Sequence, residues 1–354
     1  MGSDSRVPVT LLTGFLGSGK TTIVNTLLQY PALGATVVIV NEFGEIGLDH
    51  ELVLSSSEDI VLLQSGCLCC SLRGDLLELL LELNERRAAG EFSYERIVIE
   101  TSGLADPAPI LHTFLTHSVL ADAFVMDGVV VTVDTVVGAE TLAQHEEAKR
   151  QVAMGDLLLL TKTDLPEANE AATQDAIASL NPGAPIRTVK AGQVNPRDLI
   201  GLYHFSRAMS ATQVGAWMRV DSVPPPSNTD ADAWHHLNAI RSVSWCVDAP
   251  LIAELFDAWM GQFMAQHGQN LLRFKGLIHV KDAQLPYAVH GVQHIFHPPV
   301  ALKAWQGEDR RSKLVVIVRD FTDPELEEIF AGLDAQAPSL PLSHGGYLSA
   351  EVRA

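Results

Sequence analysis

Two kinds of segment alternate over the first 205 or so residues. Short runs that are apolar at nearly every position fall at 7–12, 36–40, 96–99, 129–133 and 156–160, and they are rich in Val, Ile and Leu. Between them lie longer stretches with helical spacing of apolar residues, at 20–29, 72–87, 139–153 and 168–180. Successive side chains of a strand point to opposite faces, so a run apolar throughout must be covered on both. Such strands, separated by amphipathic helices, predict an α/β domain with a mostly parallel sheet between two helix layers.

The pattern changes after residue 218. Residues 222–233 read SVPPPSNTDADA, the proline and small-polar composition of a linker. Beyond it, 240–247, 273–280, 287–296 and 314–318 read as strands, and 250–266 and 324–333 as helices. They predict a smaller α+β domain. The last twenty residues, rich in Pro, Ser and Gly, read as a loose tail. The expected organisation is an α/β domain over 1–218, a linker over 219–238, an α+β domain over 239–334 and a tail over 335–354. No internal repeat is visible.

The turn between the first strand and the first helix is Gly14-Phe15-Leu16-Gly17-Ser18-Gly19-Lys20-Thr21. It fits G-x-x-x-x-G-K-[ST] in the strand–loop–helix setting that the motif requires, and makes the first domain a P-loop NTPase. Gly14, Gly17 and Gly19 let the backbone curl so that its N–H groups converge on phosphate oxygens. Ser18 and Thr22 complete the cradle, and the helix N-terminus adds partial positive charge. Lys20 is expected to reach the β- and γ-phosphates and the Thr21 hydroxyl to ligate Mg²⁺.

The base is read further along. The strand at 156–160 runs into Thr161-Lys162-Thr163-Asp164, similar to the Asn-Lys-x-Asp sequence by which GTPases recognise guanine. A carboxylate at Asp164 can accept from both the ring N–H and the exocyclic amine of guanine, which adenine cannot offer in that arrangement. The Lys162 stem would lie against the base plane, and Thr161 stands where Asn is usual. Glu100-Thr101-Ser102-Gly103 follows another apolar strand, so Glu100 can hold Mg²⁺ and Gly103 can contact the γ-phosphate. Ala105-Asp106-Pro107-Ala108-Pro109 reads as a turn into a helix.

Cysteine usage alters the picture. Of four cysteines, three lie in Cys67-Leu68-Cys69-Cys70, between a short strand at 60–63 and the helix at 72–87. That spacing suits soft-metal ligation rather than a disulfide framework. The adjacent helix start favours thiolate, with Ser71 as its cap. Cys67 and Cys69 can converge from one turn, whereas participation of Cys70 stays open. So does the fourth ligand, for which Glu42, Glu45 and a histidine are the alternatives. Cys246, alone in a strand, reads as core, and His290, His294 and His297 as surface or structural residues.

Lysine and arginine total 24 against 43 acids, a net charge of −19. That charge disfavours general nucleic-acid or anionic-membrane binding. The start, Met1-Gly2-Ser3-Asp4-Ser5-Arg6, has neither a signal peptide's pattern nor the myristoylation pattern. No apolar run approaches the ~20 residues of a membrane span. Clustered thiols and the absence of a leader point to the reducing cytoplasm.

Taken in order, the segment from Thr13 to Thr22, Asn41-Glu42-Phe43-Gly44, Gly66-Cys67-Leu68-Cys69-Cys70, Glu100-Thr101-Ser102-Gly103 and Thr161-Lys162-Thr163-Asp164 resemble the CobW-like family of metal-chaperone GTPases, relatives of the nickel-insertion GTPases for urease and hydrogenase. Arg273-Phe274-Lys275-Gly276 and Gly291-Val292-Gln293 are similar to that family's carboxyl-terminal domain. The resemblance implies a GTPase that binds Zn²⁺ or Co²⁺ through the Cys-x-Cys-Cys motif. It also implies GTP-dependent metal affinity and transfer to a client metalloprotein. The long histidine-rich stretch of some members is missing.

The expected activity is slow GTP hydrolysis, on the order of 10⁻⁴ to 10⁻² s⁻¹, since no arginine finger or water-orienting residue is legible. A metal buffer using nucleotide only as a conformational ligand, a small-molecule kinase, and a regulatory GTPase with redox-active cysteines are the rival readings. The oligomeric state is open.

Overall fold

The computed structural model describes residues 6–29, 35–41, 60–63, 72–202, 215, 218, 223, 240–293, 295–296, 298–305, 307–334 and 348. The chain divides into two compact units, Met1–Ile177 with Pro185–Tyr203, and Ala178–Ala184 with His204–Ala354.

The first unit is a seven-stranded parallel sheet. Its strands are β1 (Val7–Gly14), β2 (Thr36–Asn41), β3 (Ile60–Leu63), β4 (Arg96–Glu100), β5 (Phe124–Asp134), β6 (Leu157–Thr161) and β7 (Ile186–Thr188), in the order β3-β2-β4-β1-β5-β6-β7. The helices between them are α1 (Lys20–Leu28), α2 (Leu72–Ala88), α3 (Ala108–Thr116), α4 (Ser118–Ala123), α5 (Gly138–Gln144), α6 (Glu146–Met154) and α7 (Glu170–Leu180). The apolar runs of the sequence are these strands: Val9, Leu11, Ile97, Ile99, Val129, Leu158 and Leu160 have at most traces of exposure. Ile23, Val24 and Leu27 of α1 close over Leu12, Val38, Val98, Val130, Leu157 and Leu159 on one face. Parallel pairing then decides the site, because all the carboxyl ends fall on one edge. The register sets Leu12 against Glu100, Gly14 against Thr132 and Asp134 against Thr161.

Three local expectations change. The helical stretch at 139–153 is two helices, α5 and α6, broken at His145, whose backbone is extended at φ −117°, ψ 116°. Its ring stacks on Phe15 with centroids 4.6 Å apart, a tertiary contact that no helical periodicity encodes. The strand expected at 129–133 begins earlier, at Phe124. β7 was not anticipated, since three residues of mixed exposure carry no usable period. The expected turn at 105–109 is the entry to α3, where Asp106 Oδ1 accepts from the Ala108 N–H at 2.9 Å.

The second unit is built on an antiparallel sheet. Its strands are β8 (Ile240–Val247), β9 (Leu271–Ile278), β10 (Tyr287–Val292), β11 (Ile295–Phe296), β12 (Val300–Ala301) and β13 (Ser312–Arg319), ordered β11-β10-β9-β13-β8 with β12 on β10. Helices α8 (Ala253–His267) and α9 (Asp323–Asp334) bring Phe256, Phe263, Leu326 and Phe330 into one core with Phe274, Leu314 and Val316. Phe256 is fully buried. Phe256→Ala is expected to destabilise this unit by about 3–5 kcal/mol through lost transfer energy and a residual cavity. Thermal denaturation of the full chain would show a lowered transition, and a shift within error would remove Phe256 from the core.

Two sequence expectations fail here. Cys246 is exposed, not core. β8 is an edge strand whose Val243 and Val247 are buried in the core, and Cys246, one residue from Val247, falls on the opposite face, paired in register with Lys313. Leu348, assigned to the loose tail, is fully buried, and its N–H donates to Asp257 Oδ1 at 2.6 Å. His290 is buried on β10, while His294 and His297 lie outside the described residues. No helix among the described residues is long and apolar enough to cross a membrane.

Candidate nucleotide site

The phosphate loop is shaped by its glycines and fastened from behind. Gly14 sits at φ +142°, and a Cβ there would lie 2.3 Å from Thr132 Oγ1 and 2.4 Å from the Thr132 carbonyl. No other residue fits. Gly19 precedes α1 in the left-handed region at φ +90°, which also favours glycine. Ser18 is buried, its Oγ sharing a 2.7 Å hydrogen bond with Thr132 Oγ1, so the site receives its backbone and not its hydroxyl. Thr161 Oγ1 donates to the Ser18 carbonyl at 2.7 Å, with the Val133 carbonyl 3.3 Å away. Thr161 therefore braces the loop.

Lys20 arches across the same loop, its Nζ donating to the Gly14 carbonyl at 3.0 Å and the Phe15 carbonyl at 3.1 Å. Phosphate oxygens are anionic and stronger acceptors than carbonyls, so this ammonium is placed to exchange onto a bound nucleotide. Thr21 Oγ1 donates to Glu100 Oε1 at 2.8 Å, with Glu100 buried at the end of β4. A hydroxyl and a carboxylate meeting beside the loop form a hard-oxygen donor pair, the kind that Mg²⁺ takes.

The segment after β4 is clamped on both sides. Thr101 donates its N–H to the Leu12 carbonyl at 2.9 Å and its Oγ1 to Thr13 Oγ1 at 2.8 Å. Gly103 lies so close to the P-loop that a Cβ would come within 2.6 Å of the Leu16 nitrogen. From the other side, Gln151 Nε2 donates to the carbonyls of Gly103 at 3.1 Å and Ala105 at 3.0 Å. Nothing in the sequence marked Gln151, since an isolated glutamine in a helix carries no signal.

In the loop after β6, Lys162 has φ +58° and its Nζ donates to Asp134 Oδ2 at 2.6 Å. Asp134 is itself held by the Val136 N–H on Oδ1 at 2.7 Å. Asp164 is exposed, and its Oδ1 accepts the Ala191 N–H at 2.9 Å. That bond, followed by Asp164's own N–H, holds the carboxyl below its ordinary range, so it is ionised at neutral pH. The loop after β7 therefore completes the site. Thr163 Oγ1 donates to the Val189 carbonyl at 3.0 Å, and Thr26 Oγ1 to the Gly192 carbonyl at 2.9 Å. A Cβ on Gly192, at φ +73°, would lie 2.4 Å from Thr22 Cγ2. Asp134 and the 189–192 loop were missed in the sequence; the only hint was a Lys-Ala-Gly triplet after an apolar valine.

Of the residues singled out in the sequence, the fold gathers Gly14, Gly17, Ser18, Gly19, Lys20, Thr21, Thr22, Glu100, Gly103, Thr161, Lys162 and Asp164 along one sheet edge. Glu42, Glu45, Cys67, Cys69 and Cys70 lie outside the described residues. The strand ends before them are described: Asn41 pairs with Leu63, and Val40 with Glu100. Among the described residues, no three His, Cys, Asp or Glu side chains group as metal ligands.

A fastened P-loop, a Thr–Glu oxygen pair and a parallel sheet carrying all of them on one edge define a P-loop NTPase-like domain, here followed by an antiparallel-sheet domain. Residues 8–188 match the CobW/HypB/UreG nucleotide-binding domain, and residues 240–333 the cobalamin synthesis protein cobW C-terminal domain. The chain belongs to the CobW/HypB/UreG family. It is 33% identical over 328 residues to the zinc chaperone YjiA of Escherichia coli strain K12, spanning 92% of this chain and 98% of that one. Over 349 residues it is 33% identical to the zinc chaperone CobW of a Sinorhizobium species, spanning 89% and 93% respectively. The crystal structure of Zn(II)-bound YjiA GTPase from E. coli is similar with a TM-score of 0.70 at 28% identity, covering 93% of this chain and 99% of that chain.

Proposed function

We propose that this chain is a GTP-hydrolysing zinc carrier. It binds GTP at the site described above and a transition metal, zinc first and cobalt second, at Cys67, Cys69 and Cys70. It passes the metal to a client metalloprotein under control of the GTP/GDP state. The observation that carries this reading is the placement of the strand ends. β3, β2 and β4 are consecutive strands that end on the P-loop edge, with Asn41 opposite Leu63 and Val40 opposite Glu100, and the thiols follow β3 in the sequence. A change at the γ-phosphate can thus be felt by the chain carrying the thiols. Two relatives named as zinc chaperones, matched over nearly their whole length, support the choice of metal. Clustered thiols of this kind call for the reducing cytoplasm.

In the reaction, a water oxygen attacks the γ-phosphorus of GTP, the bond to the β–γ bridging oxygen breaks, and GDP and phosphate leave. Thr21 and Glu100 would hold Mg²⁺, whose charge would offset that developing on the phosphates. Lys20 neutralises the bridging region, the P-loop N–H groups hold the phosphates in line, and Asp164 with Lys162 holds guanine. Thermodynamic linkage requires that GTP tighten metal binding and metal tighten GTP binding by one factor, typically 5–150-fold.

Titrating reduced, metal-free protein with Zn²⁺ and with Co²⁺ against a chromogenic chelator tests the reading. Mg²⁺ is present with either GDP or a non-hydrolysable GTP analogue, and a Cys67→Ser, Cys69→Ser, Cys70→Ser chain runs alongside. The expected result is tighter metal binding with the analogue, abolished by the triple substitution. Equal affinity in both nucleotide states would remove the coupling. Unchanged affinity in the substituted chain would move the metal elsewhere.

A further inference from the structure

Helix α6 contributes a residue that the scheme above leaves unused. Gln151 is 1% exposed, and both of its hydrogen bonds end on backbone carbonyls of the segment after β4, those of Gly103 and Ala105. Two carbonyls require a double donor, so the amide NH₂ and not its oxygen faces them. The peptide joining Gly103 to Leu104 is trans, since the described chain holds no cis bond. A trans peptide directs its N–H opposite to its C=O. With the Gly103 carbonyl drawn to Gln151, the Leu104 N–H is turned away from α6. Gly103 lies close enough to the P-loop that an added Cβ would meet the Leu16 backbone nitrogen at 2.6 Å. Arg150, the preceding residue, lies 3.8 Å from the Asp106 carboxylate, and the ring of His145, just before α6, stacks on Phe15 of the P-loop. One short helix and its entry thus touch both loops that meet at the terminal phosphate.

We propose that Gln151 is the positioning residue that makes the Gly103–Ala105 segment discriminate GTP from GDP. It touches no phosphate. By holding two carbonyls from behind, it keeps that segment's peptides oriented beside the P-loop in advance, so that the terminal phosphate meets an aligned N–H, that of Leu104, while the Ala105 N–H stays on the Ser102 carbonyl. GDP makes no contact there and gains nothing from the alignment. The inference rests on the guanine-nucleotide reading and assigns it the source of its state selectivity.

The test uses the full chain with Gln151→Met and Gln151→Glu. Both keep the side chain's bulk, and both remove the double donor. Glutamate additionally sets a carboxylate against two carbonyls. Affinities for GDP and for a non-hydrolysable GTP analogue are measured with Mg²⁺, together with thermal denaturation and the kcat and KM of GTP hydrolysis. The expected result is a loss of about tenfold in analogue affinity from the two missing hydrogen bonds, larger for Gln151→Glu, with GDP affinity within twofold of the original. KM should rise and kcat fall together. A space-filling role would leave the analogue-to-GDP ratio unchanged in both chains, and that outcome overturns the proposal. Gly103→Ala guards against misfolded variants, because it displaces the same peptide from the P-loop side and must lower the same ratio; an unchanged ratio counts against the proposal. An original chain that binds no guanine nucleotide removes the functional reading and this inference with it. An original chain that binds both nucleotides, beside variants with an unaltered ratio, removes the inference alone.

Discussion

Replacing Asp164 with Asn is expected to lower affinity for GTP by on the order of 10³-fold while raising affinity for the corresponding xanthine nucleotide. Guanine presents two donors side by side, the ring N–H and the exocyclic amine, and a carboxylate accepts both. The Ala191 N–H already fixes one oxygen, Oδ1. Asparagine can keep that bond through its own oxygen, which puts its NH₂ in the position of Oδ2. A donor then faces the guanine amine, and two donors set against each other leave both without an acceptor. Xanthine carries a carbonyl at that position and restores the pairing. Asp164 is exposed, so the fold should tolerate the change, and a thermal transition near that of the original chain would show it. Equilibrium binding of guanine, xanthine and adenine nucleotides to both chains decides the matter. If the substituted chain kept GTP affinity within a fewfold, the base would be read elsewhere.

The second large effect is expected at Lys20. Its ammonium carries a full positive charge to the middle of the P-loop, where it bonds to the Gly14 and Phe15 carbonyls. In the proposed reaction that charge would oppose the negative charge gathering on the bridging oxygen. Lys20→Ala should lower kcat/KM for GTP hydrolysis by on the order of 10³-fold or more, to the level of a blank. Lys20→Arg should not restore it, since a planar, longer guanidinium cannot fold back onto the same two carbonyls. Phosphate release under single-turnover conditions measures both. Retained hydrolysis in the alanine chain would dismiss the phosphate-loop assignment, and with it the proposed enzyme.

The parts of this site that are legible in the sequence share a property: their chemistry needs residues close together in the chain. A P-loop cradles phosphate with consecutive N–H groups, so Gly14 to Thr21 had to appear as one string between a strand and a helix. The Thr161–Asp164 loop and the Glu100–Gly103 loop were visible for the same reason, each a short polar sequence at the end of an apolar strand. The strands themselves were visible because burial on both faces leaves no polar positions inside them. The antiparallel unit was read nearly as well, and its errors, Cys246 and Leu348, concern which face or which neighbour a residue finds.

What the sequence by itself determined is therefore the local chemistry: a P-loop, a polar Thr161–Asp164 loop after an apolar strand, a cysteine cluster and two sheets of different kind. Only the tertiary structure decided how those pieces are braced. Thr161 supports Ser18 across 143 positions, Asp134 holds Lys162 across 28, and Gln151 holds Gly103 across 48. Asp134 and Gln151 are single ordinary residues with no companion nearby in the chain, and the motif that contains Thr161 does not mark it as a brace for Ser18, so no periodicity or spacing announces these contacts. The parallel register makes these pairs. Aligning the carboxyl ends of β1, β4, β5 and β6 on one edge brings residues that are remote in the chain within hydrogen-bond distance. That alignment follows from packing every strand between two helix layers, a constraint satisfied by the whole sheet and by no single segment of it.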